Sequence, residues 1–355
     1  NPKIIYPDLQ YEKNSKIKFE IKNLLNSLDM DVFKIENKNL IIFFEEIFFY
    51  QNALSNFLNK RFNKLDLRYL VADYLTWMDP NITAKYFSQK GLKVFVCSHG
   101  NMDLSEDPLA NSELLSLGKG LCYSEYASSV IAQSPTAYEI SKKLINLEKV
   151  NILKSHPLAY RGQRISKKIN NQKINILFAG TYKVFLSRPY IYQGSFQFVD
   201  TIKKLSEVFK NFNDIELTFN IRANDEINNN LYKNLLENLP NAKIYFNSNI
   251  ESLMQNNHLL ITNFSTLIDE FSYLNKPVII LKDFIKYECY KHLYLHQTEK
   301  NHLNPIYYMN SKQLEKEISY IIEKIRKETK IEVPKHIWKE TEAYSNSELL
   351  NKINE

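Results

Sequence analysis

The chain has 355 residues, 44% of them apolar, which is enough for two α/β units that each bury a core. A net charge of +6, mild and scattered, suits an anionic ligand or an anionic membrane surface and argues against a nucleic-acid binder. Cys97, Cys122 and Cys289 show no C-x-x-C spacing, which fits a reducing compartment and argues against a zinc site.

In chain order, the opening Asn1-Pro2 lacks an initiating Met, so a longer multidomain polypeptide with an anchor or second module is expected. No signal peptide or membrane span is recognisable. The longest apolar run, Leu40 to Phe49, is short and broken by Glu45 and Glu46. Lys3 to Pro7 reads as a first strand and Lys16 to Leu28 as an amphipathic helix. Asn39 to Phe44 reads as another strand, followed by a helix over Phe48 to Phe62. Tyr69 to Leu75 is strand-like, Pro80 opens a helix, and Lys93 to Cys97 is a buried strand running into Ser98-His99-Gly100 and a polar loop. Val130 to Gln133 is a short strand, Ser134-Pro135 starts a helix with Pro at its first position, and Val150 to Lys154 is a further strand. The basic stretch after it has no apolar period and reads as a linker.

The second half is more regular. Strands are predicted at Ile174 to Phe178, Glu216 to Ile221, Ala242 to Phe246, Leu259 to Thr262 and Val278 to Leu281. Helices are predicted at Phe196 to Phe209, Ile227 to Leu239, Ile250 to Gln255 and Thr266 to Leu274. This alternation argues a parallel sheet with helices on both faces, with ligands at the carboxyl ends of the strands. Ser311 to Lys327 and Lys335 to Ile353 read as closing helices. The expected domains are therefore a first α/β lobe over 1–150, a linker over 151–172, a second α/β lobe over 173–335, and a final helix over 336–355.

The most informative stretch is His258 to Leu281. Its apolar run, polar turn, helix and second apolar run form one βαβ unit. Thr266 is the expected N-cap, with Asp269 completing a capping box, and Asn275 closes the helix before Pro277. Asn263, Ser265 and Thr266 then lie where a strand ends and a helix begins, a place where free N–H groups and hydroxyls hold anions. Glu270, one turn on, is placed to accept hydrogen bonds from a ribose. The plain alternative is that Ser265 and Thr266 only cap the helix.

A strand, then N-F-S-T, then a short helix with an acidic residue, then K-P-V-I-I-L resembles the donor-site end of GT-B glycosyltransferases. The likeness is to bacterial surface-polysaccharide enzymes: CDP-glycerol glycerophosphotransferases, and capsule transferases that use CMP-activated acidic sugars of the Kdo or sialic-acid type. It implies an α/β, GT-B-like fold of two doubly wound Rossmann-like lobes with a cleft between them, the lobe over 1–150 on the acceptor side, the lobe over 173–335 binding the donor, and the helix over 336–355 returning toward the first lobe. It also implies transfer of a sugar from a CMP- or CDP-linked donor to a hydroxyl of a capsule, lipopolysaccharide or teichoic-acid type glycan. No metal is needed on that reading, because helix termini and basic side chains take the leaving charge. The implied partners are a nucleotide-sugar donor and a glycan or lipid-linked glycan acceptor, and no nucleic acid. The implied location is cytoplasmic, with peripheral association at the inner membrane. Glycerophosphate transfer from CDP-glycerol, a UDP-GlcNAc 2-epimerase-like activity, and a non-catalytic glycan-binding module of a larger synthase are the alternatives.

The resemblance also implies a catalytic role for His99, which precedes Gly100 at a strand's carboxyl end, as general base or phosphate contact. Asp103 and Glu106, in the same loop, are the fallback bases; loop acids are more often merely solvated. Thr181, after Gly180, is a hydroxyl candidate for the donor, although a plain turn fits equally. Arg188 and Arg222 are candidates for bidentate phosphate binding, with a surface Arg as the ordinary alternative. His156 in His156-Pro157 resembles the nucleotide-contacting His-Pro of CMP-sialic acid transferases, but it lies ahead of the donor lobe and is a weak candidate. Asp29-Met30-Asp31 follows a helix rather than a central strand, and Gly118-Lys119-Gly120 lacks the spacing of a phosphate loop, so neither is assigned a ligand.

Overall fold

A computed structural model describes residues 37–62, 67–73, 75–76, 78–98, 103–145, 150–157, 173–180, 195–221, 234, 242–246, 249–263, 265–283, 289–294 and 302–355. The expected strand at 3–7, the helix at 16–28 and most of the helix at 227–239 lie outside these residues.

Two parallel sheets organise the described chain. The first contains β1 (Tyr69–Ala72), β2 (Lys93–Cys97), β3 (Ser129–Ala132) and β4 (Asn151–Lys154), in that spatial order. The second contains β5 (Ile174–Gly180), β6 (Ile215–Ile221), β7 (Ala242–Phe246), β8 (Leu259–Thr262), β9 (Val278–Leu281) and β10 (Ile306–Met309). Its spatial order is β10-β9-β8-β5-β6-β7, and every described strand pair is parallel. The connections run one way from β5 through β6 to β7, then return to β5's other side at β8. That reversal creates a topological switch point between β5 and β8, the place where open α/β sheets take ligands.

The central strands of the second sheet are buried on both faces because they alternate between two apolar layers, whereas edge strand β7 leaves Lys243 and Tyr245 exposed. Ile174, Ile176 and Phe178 of β5 pack with α5 (Ser195–Phe209) and α9 (Ser311–Arg326). Leu177 and Ala179 of the same strand join the layer of α6 (Ile250–Asn256) and α7 (Leu267–Tyr273). That second layer also takes Leu114 and Leu117 of α3 (Pro108–Leu121) and Ile140 of α4 (Pro135–Leu144), so the two lobes share apolar packing.

Three expectations need correction. Asn39 to Phe44 is not a strand: a single helix, α1, runs Asn37–Phe62. An unbroken apolar run carries no period, and helix length decided the outcome. The polar loop after β2 contains helix α3, opened by Asp107 as N-cap with Pro108 at its first position, and kinked at Gly120 with φ +100. A Cβ at Gly120 would lie 2.7 Å from the Thr76 backbone nitrogen, so only glycine fits. Lys335 to Ile353 is helical only at its end, as α10 (Asn346–Asn354), while the residues before it form turns that cross to the first sheet. There Trp338 Nε1 donates to Ala132 O (3.1 Å), Tyr344 N donates to Lys154 O (3.0 Å), and Leu349 and Ile353 pack on Phe95 and Ile131. Two remaining described helices, α2 (Met78–Gln89) and the short α8 (Lys291–Tyr294), flank the first sheet and the lobe joint respectively. No helix among the described residues is long and apolar enough to cross a membrane.

Candidate functional site

The switch point is built by the ends of β5 and β8. Thr262 Oγ1 donates to Ala179 O at 2.7 Å, tying the two strands where they open. Gly180 ends β5 because the ring of Phe198 fills the space a side chain would need: a Cβ there would lie 2.4 Å from it. Asn263, 5% exposed, donates from Nδ2 to Leu281 O at 3.2 Å, which locks β8 to β9. Its Oδ1 is buried with no hydrogen-bond partner among the described residues.

The turn into α7 differs from the expected capping box. Thr266 has helical backbone angles (φ −60, ψ −20) and its side chain makes no cap bond. Ser265 Oγ instead accepts from Leu267 N at 3.3 Å. Thr266 is exposed and Ser265 half-buried, so both hydroxyls lie within reach of solvent at the strand ends. Further along α7, Asp269 and Glu270 are both buried. Burial, with the Asp269 carboxylate beside it, pushes the Glu270 carboxyl up to about 7. Glu270 Oε2 is also buried with no partner among the described residues. α7 closes as expected: Asn275 takes φ +55, with Asn275 N donating to Ser272 O and Lys276 N to Phe271 O.

A second polar centre, unforeseen in the sequence, lies at the lobe joint. Asp103 follows β2 and is buried, not solvated. Its Oδ1 accepts from Leu104 N and its Oδ2 from Tyr290 N, each at 2.9 Å, and His292 Nδ1 lies 3.3 Å from Oδ2. Burial pushes this carboxyl up, while the amide bonds and His292 pull it down. Asp103 therefore ties the first lobe to residues 289–294. Glu106 is exposed. The Tyr290 ring stacks on His336 at 4.6 Å, and Tyr294 OH lies 2.7 Å from His336 Nδ1. The Tyr294 oxygen already accepts the backbone N–H groups of Lys335 and His336, so its own proton goes to Nδ1. That leaves the His336 proton on Nε2, a buried donor with no partner among the described residues. Full burial pushes the imidazole down to about 3, so His336 is neutral. Contacts this distant in sequence left no local motif to find.

The candidates His99, Thr181, Arg188 and Arg222 lie outside the described residues. Ser98, just before His99, is held firmly: its N donates to Ile131 O, its Oγ accepts from Gln133 N, and its carbonyl accepts from Gln133 Nε2. His156 lies not at the switch point but against Tyr273, 5.1 Å away at the far end of α7. Among the described residues no group of three or more His, Cys, Asp or Glu side chains is placed to hold a metal.

Residues 159–352 match the family described as CDP-Glycerol:Poly(glycerophosphate) glycerophosphotransferase, which takes in the whole second sheet, the switch point and the crossing segment. The chain belongs to this family. It is accordingly a transferase of the glycosyltransferase-like kind. No curated protein matches the sequence. Among solved structures, a putative UDP-N-acetylglucosamine 2-epimerase from Listeria monocytogenes is similar with a TM-score of 0.51 at 10% identity, over 81% of this chain and 75% of that one. The UDP-GlcNAc 2-epimerase of Neisseria meningitidis, solved with UDP-GlcNAc bound, gives 0.50 at 13% identity, over 82% and 78%. At such identities the likeness is one of fold: two parallel-sheet lobes in the GT-B arrangement. The family match begins after β4, so the first lobe and His99 stand outside it.

Proposed function

We propose that this glycerophosphotransferase-family chain takes a cytidine-nucleotide donor and passes its activated group to a hydroxyl of a bacterial surface polysaccharide. The switch point inside the matched segment carries the reading. Two buried acceptors, Asn263 Oδ1 and Glu270 Oε2, flank the β8–α7 turn there with no partner among the described residues. A buried polar atom left unpaired is costly, so a ligand that donates hydrogen bonds at this turn gains affinity.

The family's description names CDP-glycerol, which favours glycerol phosphate as the transferred group. Transfer of a CMP- or CDP-linked acidic sugar is the second reading, because the match leaves the acceptor-side lobe uncovered. In glycerol phosphate transfer, the acceptor oxygen bonds to the β-phosphorus of CDP-glycerol. The bond from that phosphorus to the bridging oxygen breaks, and CMP leaves with the electron pair. The acceptor's proton passes to a base, for which His99 is the proposed residue. Arg188 and Arg222 are the proposed phosphate partners, with Thr181, Ser265 and Thr266 as hydroxyl donors. Basic side chains then carry the leaving charge, and the proposed reaction needs no metal. The site of action on this reading is the cytoplasmic face of the membrane.

Nucleotide ranking by thermal shift, with EDTA present, tests the donor. CMP and CDP should stabilise the protein more than UDP, GDP or ADP. CMP release from CDP-glycerol, compared with CMP-linked acidic sugars, then separates the two readings. Uridine nucleotides ranking first would move the weight to a UDP-sugar enzyme, and no shift with any nucleotide would favour a glycan-binding module.

A further inference from the structure

Far from the switch point, at the amino ends of β8, β9 and β10, the structure contains a cavity of about 940 Å³. His258 and Pro277, which precede β8 and β9, form part of one wall, and residues 328–331, 333–334 and 337–341, leading into and along the crossing segment, form the other. That volume lies in the range of small-molecule sites. Two features mark it as more than a gap between elements. Ser272 lines it, is 1% exposed, and has an Oγ with no hydrogen-bond partner among the described residues. Val333 also lines it and, at 63%, is the most exposed of the large hydrophobic side chains among the described residues.

The lining indicates the class of ligand. Ile331, Pro334, Leu274 and the rings of Tyr273 and Trp338 give apolar walls. Lys276 offers the space no free donor for an anion, because its Nζ is held by the carbonyls of Met254, Gln255 and Asn257. The other charged side chains are Lys330 and Lys339 against Glu328 and Glu340, a balanced set with no preference for an anion. Paired donors and acceptors around apolar walls suit hydroxyl groups, each of which both donates and accepts, on rings with C–H faces.

We infer that this cavity is a second, non-catalytic site for a neutral oligosaccharide, holding the built part of the acceptor glycan against the crossing segment. The inference rests on the proposed transfer to a glycan, but the site itself is separate from the donor turn. Residues on both sides of the hollow contact the ligand, so occupancy links the second lobe to the segment that reaches the first.

Saturation-transfer NMR on the full chain, with a panel of neutral trisaccharides (chito-, malto-, galacto- and β-gluco-linked), tests it. At least one trisaccharide should bind. Val333→Arg, an exposed change that leaves the core intact, should weaken that binding by about tenfold or more by filling space the ligand needs. Ser272→Ala should weaken it by a smaller factor. CDP affinity should be unchanged in both variants. Binding of no trisaccharide, binding insensitive to Val333→Arg, or preference for a glycerol phosphate oligomer over every neutral sugar would each overturn the inference. A trisaccharide that binds while no nucleotide does would keep this site and remove the donor reading.

Discussion

Glu270 shows how one buried side chain ties the site to stability. Its carboxyl rises from an ordinary 4.5 to about 7 through burial and the neighbouring Asp269 charge. A raised acid binds more protons folded than unfolded, so its stabilising effect is complete below about pH 4.5 and is lost as pH climbs through about 7. Glu270→Gln should therefore match the parent at pH 4.5 and exceed it at pH 8, by up to about 3 kcal/mol in urea unfolding. Equal pH slopes for the two proteins would mean that the carboxyl ionises freely. If Oε2 accepts from the donor, the same variant should bind CDP less tightly although it is more stable, a split that mere packing does not produce. Gly180 makes the opposite kind of prediction. Gly180→Ala sets a Cβ 2.4 Å from the Phe198 ring and should cost about 1–3 kcal/mol by overpacking. Phe198→Leu in the same chain should recover part of that loss; no recovery would place the strain in the backbone instead.

At the scale of the element, α7 was legible in kind and illegible in detail. The alternation of apolar runs with N-F-S-T and N-K-P gave strand, helix and strand at their observed places, because buried parallel strands and a Schellman-type stop leave local marks. The cap did not follow the pattern: Thr266 entered the helix and Ser265 took the bond. Thr266→Ala should therefore change stability by less than about 0.5 kcal/mol, below the usual loss of a cap. Asn275, at φ +55, is where the helix end is fixed: Asn275→Ala should cost about 1 kcal/mol and Asn275→Gly should be neutral or better. Chemical denaturation of the three variants checks the order. α3 went unread because its Pro108 start and its Gly118-Lys119-Gly120 end look like loop punctuation, although Leu114, Leu117 and Leu121 bury the same face. The burial of Asp103 leaves no local mark for another reason. Its partners Tyr290 and His292 lie nearly two hundred residues away, and only folding brings them together.

At the scale of the molecule, the chain closes on itself through the crossing segment. Trp338 reaches the end of β3, α10 covers the first sheet, and His336 packs between Tyr290 and Tyr294 of the second lobe. The segment's hold on the second lobe thus depends on a neutral, fully buried imidazole held down to about 3. A depressed histidine binds fewer protons folded than unfolded. Its stability is present above the ordinary 6.5 and is lost as pH falls from there toward about 3. Across that window the cost approaches about 4–5 kcal/mol, enough to loosen a joint before the sheets themselves unfold. Acidification from pH 7 to pH 5 should therefore raise hydrogen exchange first in residues 289–294 and 335–344, with β5 and β8 still protected. His336→Phe keeps a ring on Tyr290 and removes the titrating group. It should weaken the joint at pH 7, because Tyr294 loses its acceptor, yet abolish the acid-dependent part of the exchange. Exchange that rises equally in both proteins on acidification would place the sensitivity elsewhere, with the Asp103–His292 pair as the next group to vary.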